Sequence, residues 1–269
     1  MIEIHIDADD AHIYTHVDTK DIKLRQSFIV EALTNARAIL NETNTKAVIF
    51  VVARDLEQNI DYKILLKQFL RDGHVIGNHS YSHSENFHDW CKELQIKDVE
   101  RADEVISDAL NYKSIYFRGP GYSSSHAVQR SLLKMRYVYD CTKIPLIYSS
   151  ALDIYFKVNS SGRKSFPSIL RLQDLHFSLS GPIPGIKELS MHANRIYGIP
   201  IYSTWLFRKR RSSREISRRL EKTQNLFLFH AIDFLDYSNA RSGIPALRID
   251  SQERFRIIKE ILLLLKSQN

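Results

Sequence analysis

Ile76-Gly77-Asn78-His79-Ser80-Tyr81-Ser82-His83 closes a short apolar run and places two imidazoles four residues apart. On a helical turn, side chains at i and i+4 share a face, so both rings can reach one ion. By itself such a pair reads as two solvated surface residues, but three other stretches add weight. Ile4-His5-Ile6-Asp7-Ala8-Asp9-Asp10 is a short apolar strand ending in adjacent carboxylates. Phe117-Arg118-Gly119-Pro120-Gly121-Tyr122 sets an arginine at a strand end before a sharp turn, and Leu226-Phe227-Leu228-Phe229-His230 ends another apolar run on a histidine. The sum is a carboxylate–histidine–histidine metal site with a spare carboxylate, a guanidinium and a further imidazole. That inventory suits metal-assisted hydrolysis.

Outward from these stretches, short apolar runs alternate with longer helical periods, which predicts βα repeats. Strands are expected over Glu3 to Ala8, Ala47 to Val52, Val75 to Gly77, Ile115 to Arg118 and Leu226 to His230. Helices are expected over Ser27 to Leu40, Ile60 to Asp72, Ile96 to Leu110, Ala127 to Met135, Ser213 to Lys222 and Ser251 to Leu265. Asp72-Gly73 reads as a helix stop, and Ser124 or Ser125 as a cap. Asp9, Asp10, His79, Arg118 and His230 then sit at or just past the C-terminal ends of strands, where parallel βα barrels gather their functional groups. The expected architecture is α/β, an irregular (β/α)7-type barrel filling one domain, 1–269. Turn signals at Ser160-Ser161-Gly162 and Gly181-Pro182-Ile183-Pro184-Gly185 mark a less regular insertion around 149–200.

A chain of 269 residues is long enough for one large core. Its two cysteines, Cys91 and Cys141, form neither a disulfide framework nor a Cys-x-x-Cys metal spacing, and Cys141 is expected in a buried strand. The chain opens directly on a strand with no leader pattern, so a cytoplasmic protein is expected. The longest apolar run, Ile261 to Leu265, is far short of the ~20 residues a membrane span needs. The net charge of +7 is uneven: Arg208-Lys209-Arg210-Arg211 is followed by Arg214, Arg218 and Arg219. Such a run is ordinarily a solvated helix face. No zinc-finger spacing, aromatic RNA platform or recognition helix accompanies it, so no nucleic acid is expected. A patch facing anionic lipid headgroups or a phosphate-linked sugar fits better, with peripheral attachment at an inner membrane surface.

The order of these motifs resembles the polysaccharide deacetylases, the NodB-like fold of carbohydrate esterase family four. That family reads Thr-Phe-Asp-Asp-Gly, His-Ser/Thr-x-x-His, Arg-x-Pro, an aspartate-bearing motif and Leu-x-His. Here the second motif is intact as His79-Ser80-Tyr81-Ser82-His83, the third survives as Arg118-Gly119-Pro120, and the fifth as Leu228-Phe229-His230. The first is looser, with Asp7-Ala8-Asp9-Asp10-Ala11, and the fourth resembles Tyr139-Asp140-Cys141-Thr142 without the usual Asp-Trp pair. The resemblance covers roughly residues 1 to 235.

The resemblance implies that Asp10, His79 and His83 hold a divalent metal. Zinc is the first choice, and cobalt, nickel or manganese suit the same ligands. It implies Asp9 as general base, held by the Arg118 guanidinium, and His230 as general acid. The register stays open: Asp7, Asp9 and Asp10 lie within four residues, and on an ideal strand Asp7 and Asp9 share a face while Asp10 turns away. Asp9-Asp10 matches the family spelling, with Asp7 in reserve. Leu228 is placed beside the acyl methyl, with Pro120 and Tyr122 also lining the substrate site. Asp140 is one candidate to orient His230 and Asp233 is the other. His12, His16, His126, His176 and His192 have no ligand partner at a recognisable spacing, although His12 and His126 lie close enough to motifs to rim the site.

The implied activity is metal-dependent removal of an N-acetyl group from an amino sugar of a glycan or lipid-linked precursor, in cell-envelope polysaccharide synthesis. The alternatives are deformylation of a lipid-linked amino sugar, or a non-catalytic carbohydrate-binding barrel, which the departures in the first and fourth motifs keep open.

Overall fold

A computed structural model describes residues 2–14, 26–84, 86–143, 182–189, 202–208 and 226–267. Its spine is strand β1, Glu3–Ala8, whose alternation sends Ile4, Ile6 and Ala8 to one face and His5 and Asp7 to the other. β2 (Ala47–Val51), β3 (Val75–Asn78), β4 (Tyr116–Phe117), β5 (Tyr139–Asp140), β6 (Lys187–Glu188) and β7 (Leu226–His230) follow. All seven join one parallel sheet in the order β6-β5-β4-β3-β2-β1-β7. Parallel neighbours need long crossovers, and helices supply them. Among the described residues the α-helices are α1 (Ile29–Glu42), α2 (Ala53–Gln58), α3 (Ile60–Arg71), α4 (Lys92–Leu110), α5 (His126–Lys134), α6 (Ser203–Arg208) and α7 (Ser251–Lys266). The curled parallel sheet with its helices is the expected (β/α) barrel.

One face of the sheet carries the main hydrocarbon core. Ile4, Ile6 and Ala8 pack there with Ile49, Val51, Ile76, Phe227 and Phe229, against Leu33, Leu66, Ile106, Ile258 and Leu262 from the helices. Burying each large aliphatic side chain is worth about 1.5–3 kcal/mol, which makes this layer the main source of stability. The other face is mixed. Val48, Phe50 and Cys141 form one small cluster and Leu226, Leu228 and Tyr202 another. His5, Asp7 and Arg118 are buried on the same side.

The expected element boundaries hold within a few residues. α3 ends at Arg71 with Asp72 as its C-cap and Gly73 in the left-handed region at φ 82°, and the Ser125 hydroxyl accepts from the Val128 amide to cap α5. Two strands exceed the expectation. Tyr139–Asp140 ends just before the buried Cys141, and Lys187–Glu188 lies inside the stretch expected to be irregular. Each is two residues long, too short for alternation to register in sequence. The rest of 149–200, the expected helix Ser213 to Lys222, residues 209–219 of the basic run, and His16, His176 and His192 lie outside the described residues. Among the described residues, no helix is long and apolar enough to cross a membrane.

Candidate metal and catalytic centre

The histidine pair departs from its expected local geometry. Residues 79–83 do not form a helical turn; they form a bent loop after β3, with Ser80 at φ 67° and His83 at φ 46°. Backbone bonds tie this loop to its neighbours: the His79 amide donates to Val51 O, and Ser80 O and Tyr81 O accept from the Ala53 and Arg54 amides. Asp98 on α4 accepts from the Tyr81 and Ser82 amides at 3.0 and 3.2 Å. The Asn78 carboxamide accepts from the Ser80 amide and donates to Val99 O and the Tyr137 hydroxyl. The result is two rings 4.7 Å apart, edge to face.

Among the described residues, the group able to hold a metal is Asp9, His79 and His83, whose ligand atoms all lie within 4.8 Å of one another. Asp9 Oδ1 is 3.5 Å from Nε2 of each imidazole. His79 donates from Nδ1 to the Arg118 carbonyl at 2.7 Å, leaving the Nε2 lone pair toward Asp9. Asp9 Oδ1 is buried with no hydrogen-bond partner. A carboxylate oxygen without a donor beside two imidazoles fits a divalent ion. Burial opposes ionisation of Asp9, but His83, His79 and His230 outweigh it and hold the carboxyl below its ordinary range. Burial lowers the His83 pKa to about 4, the direction a metal ligand requires. His79 is raised: burial pulls it down, and Asp7 and Asp9 more than reverse this.

Asp10 is not in that group, contrary to the family spelling. Its Oδ1 accepts from the Ala11 amide at 2.7 Å and the Phe28 amide at 3.0 Å, and its Oδ2 from the Ser27 hydroxyl at 2.7 Å. Asp10 therefore turns away from the inner face and ties the loop after β1 to the start of α1. Arg118 likewise pairs with Asp7 rather than Asp9, Nη1 to Oδ1 at 2.5 Å. Arg118 has no exposed surface; its Nε donates to Cys141 O and its guanidinium lies 4.3 Å over the Phe50 ring. Gly77 makes that stacking feasible, since a Cβ there would come within 2.7 Å of Phe50. Asp7 Oδ2 is 3.9 Å from His79 Nε2, so the paired carboxylate borders the metal-type cluster.

His230 ends β7 opposite Asp7, which puts both side chains on one face. Its backbone amide donates to Asp233 Oδ2 at 2.8 Å. Asp233, not Asp140, is therefore the carboxylate tied to His230. Asp140 accepts from the Thr142 amide and Gln129 Nε2, both at 3.0 Å, and from the Ser124 hydroxyl at 3.4 Å. It closes the end of β5. Leu228 is fully buried beside Leu226 and Tyr202, with Tyr122 packed on this cluster. Pro120 is buried at the head of the turn Pro120–Tyr122, whose entry needs Gly119 because a Cβ would lie 1.8 Å from Ser123 O. His12 contacts Arg54 and lies 3.8 Å from Asp55, outside the ligand group.

The model of the polysaccharide deacetylase family matches residues 7–139. The chain resembles that family over this stretch, just under half of its length. A chitin deacetylase of Arthroderma benhamiae is 24% identical over 102 residues, which are 37% of this chain and 27% of that enzyme. The match therefore spans about a quarter of that curated relative. Among solved structures, a provisionally named polysaccharide deacetylase of Mycobacterium smegmatis superposes with a TM-score of 0.56 at 14% identity, covering 97% of this chain and 83% of that one. A family 4 carbohydrate esterase from Streptomyces lividans, solved in complex with acetate, gives 0.52 at 11% identity, covering 99% and 88%. At such identities these structures share a fold with this chain.

Sequence reasoning missed several residues that build the centre. Asp98 shapes the histidine loop by accepting from the Tyr81 and Ser82 amides, and no motif marks it. Arg254 on α7 is fully buried and donates to the carbonyls of Asp233, Leu235, Tyr237, Ala246 and Ile249, fixing the chain that follows His230. Its signal was an arginine on the apolar stripe of a helix.

Proposed function

We propose that this protein is a metal-dependent hydrolase that removes the acetyl group from an N-acetylated amino sugar. The observation that carries the proposal is the Asp9–His79–His83 cluster beside a second carboxylate, Asp7, which Arg118 holds in a buried ion pair. Asp9, His79 and His83 are the ligands, and zinc is the first choice for two imidazoles and one carboxylate, with cobalt, nickel or manganese as alternatives. When bound, the ion polarises the acyl carbonyl and lowers the pKa of water.

Asp7 is the general base in this reading. Its pairing with Arg118 fixes its oxygens beside the ligand cluster, where it takes a proton from the attacking water. His230, opposite Asp7, delivers a proton to the nitrogen as the carbon–nitrogen bond breaks, giving acetate and a free amine. Leu228, with Tyr122 and Tyr202, offers the apolar surface for the acyl methyl, and Pro120 shapes the turn beside it. Asp10 and Asp140, whose carboxyls are committed to backbone and side-chain donors, hold the surrounding loops.

The test is acetate release from N-acetylated amino-sugar oligomers by zinc-loaded protein, repeated after chelation and with Asp7→Asn. Release that stops on chelation and in the variant supports the reading. Release of formate alone from N-formyl sugars would reassign the acyl group. Sugar binding without release of any acyl product would make the chain a carbohydrate-binding barrel.

A further inference from the structure

Arg118 makes one contact that its role toward Asp7 does not require. Its Nη2 donates to His5 Nδ1 at 2.6 Å, and His5 Nε2 lies 2.9 Å from Glu3 Oε2. Glu3, His5 and Asp7 are alternate residues of β1, so all three point to the inner face. They form a continuous chain, Glu3–His5–Arg118–Asp7, that ends beside the ligand cluster.

The protonation states along this chain follow from its partners. Arginine has only donors, so His5 Nδ1 must accept and carry no proton. His5 Nε2 must then carry the proton and donate to the Glu3 carboxylate. Burial, together with the positive charge of Arg118, keeps the ring neutral with a pKa of about 4, against the pull of Glu3. The chain cannot conduct protons, because a guanidinium does not release one at ordinary pH. What it can do is fix orientation. Nε is held by Cys141 O, Nη1 by Asp7 and Nη2 by His5, while Phe50 covers one face of the plane. Without His5, the guanidinium could swing about its Nε contact and carry Nη1 off the carboxylate. An aliphatic residue would fill position 5 at lower desolvation cost than a buried imidazole, as isoleucine does at positions 4 and 6.

We infer that His5, set in its tautomer by Glu3, is a positioning residue that locks Arg118 and through it aims the Asp7 carboxylate. The inference rests on the reading of Asp7 as the base.

Steady-state kinetics of zinc-loaded protein test it, with His5→Phe removing the acceptor while keeping ring volume. The expected result is a loss of about tenfold or more in kcat, with KM and metal stoichiometry unchanged. His5→Gln, whose amide oxygen can accept from Arg118, should recover kcat to within about threefold of the wild type. In an Arg118→Ala background, His5→Phe should cost nothing further, since its effect passes through the arginine. An equal extra loss in that background, or no rescue by glutamine, overturns the inference.

If His5→Phe does not fold, Glu3→Leu at the rim of the chain carries the same kinetic expectation. Nitrogen-15 NMR of the wild-type His5 ring decides the linkage without any turnover. A bare Nδ1 and a protonated Nε2 support it, and the reverse tautomer overturns it. A wild type that releases no acyl product would defeat the hydrolase reading, while the tautomer would still report on the lock.

Discussion

The two faces of β1 are buried alike and built from opposite chemistry. Ile6 and His5 have no exposed surface, and Asp7 has 3%. On the outer face, Ile4, Ile6 and Ala8 meet hydrocarbon, and burial itself is the stabilising event. On the inner face, burial is a cost that must be offset by partners. Asp7 has Arg118 and His5 has Arg118 and Glu3. Asp9, just beyond the strand, has one oxygen with no hydrogen-bond donor. The difference teaches that the outer face holds the barrel together and the inner face spends part of that stability on arranging charge.

The sharpest way to break this comparison is at Asp9. Asp9→Ala should abolish stoichiometric uptake of a divalent ion, whereas Asp10→Ala should retain it; elemental analysis of both variants decides which carboxylate is the ligand. Asp7→Asn should keep the metal and lose about 10²–10⁴-fold in kcat, because only proton acceptance is removed. Near-normal turnover in Asp7→Asn with a dead, metal-loaded Asp9→Asn would restore the adjacent Asp9-Asp10 assignment.

On the outer face, Ile6→Ala should cost about 2–5 kcal/mol in urea unfolding and leave metal stoichiometry unchanged. A loss of metal in the folded variant would show that the two faces are not separable. Asp10→Asn should cost about 1–3 kcal/mol, since buried donors at Ala11 and Phe28 lose a charged acceptor.

The smallest effect concerns pH. Burial, with Lys46 nearby, lowers the His74 pKa to about 4, against ~6.5 in an unfolded chain. Between those values the unfolded chain binds more protons, so this contribution is full above about 6.5 and lost as pH falls toward 4. Metal-free His74→Gln should lose less stability than the wild type between pH 7 and pH 5, as read from urea midpoints. Equal losses would remove His74 from the account.

Much of the fold was legible because helices of 12 to 19 residues such as α3 and α4 carry a full apolar stripe. β6 escaped because two residues in an irregular stretch cannot display a period, and the strand expected at Cys141 ends one residue earlier, at Asp140. Within the centre, His79, His83, Arg118 and His230 were found by residue type and chain order. The adjacent Asp9-Asp10 spelling pointed to Asp10 as ligand, whereas the structure groups Asp9 with the two imidazoles. Strand alternation had already put Asp7 and Asp9 on one face and turned Asp10 away, and that local rule agrees with the structure.

By itself, the sequence determined the strand–helix alternation, the parity of β1 and the supply of imidazoles, carboxylates and a guanidinium at strand ends, because these follow from bond geometry and solvent transfer along a short stretch. Only the tertiary structure decided which aspartate meets which partner. Arg118 reaches Asp7 across 111 residues of chain, and β3's loop brings two imidazoles to Asp9 through backbone bonds to β2 and α2 and through the Asp98 carboxylate of α4. Three carboxylates within four residues are nearly alike to any local reading. The fold separates them by a few ångströms, and over that distance one becomes a capping group, one an ion-paired carboxylate and one a candidate ligand.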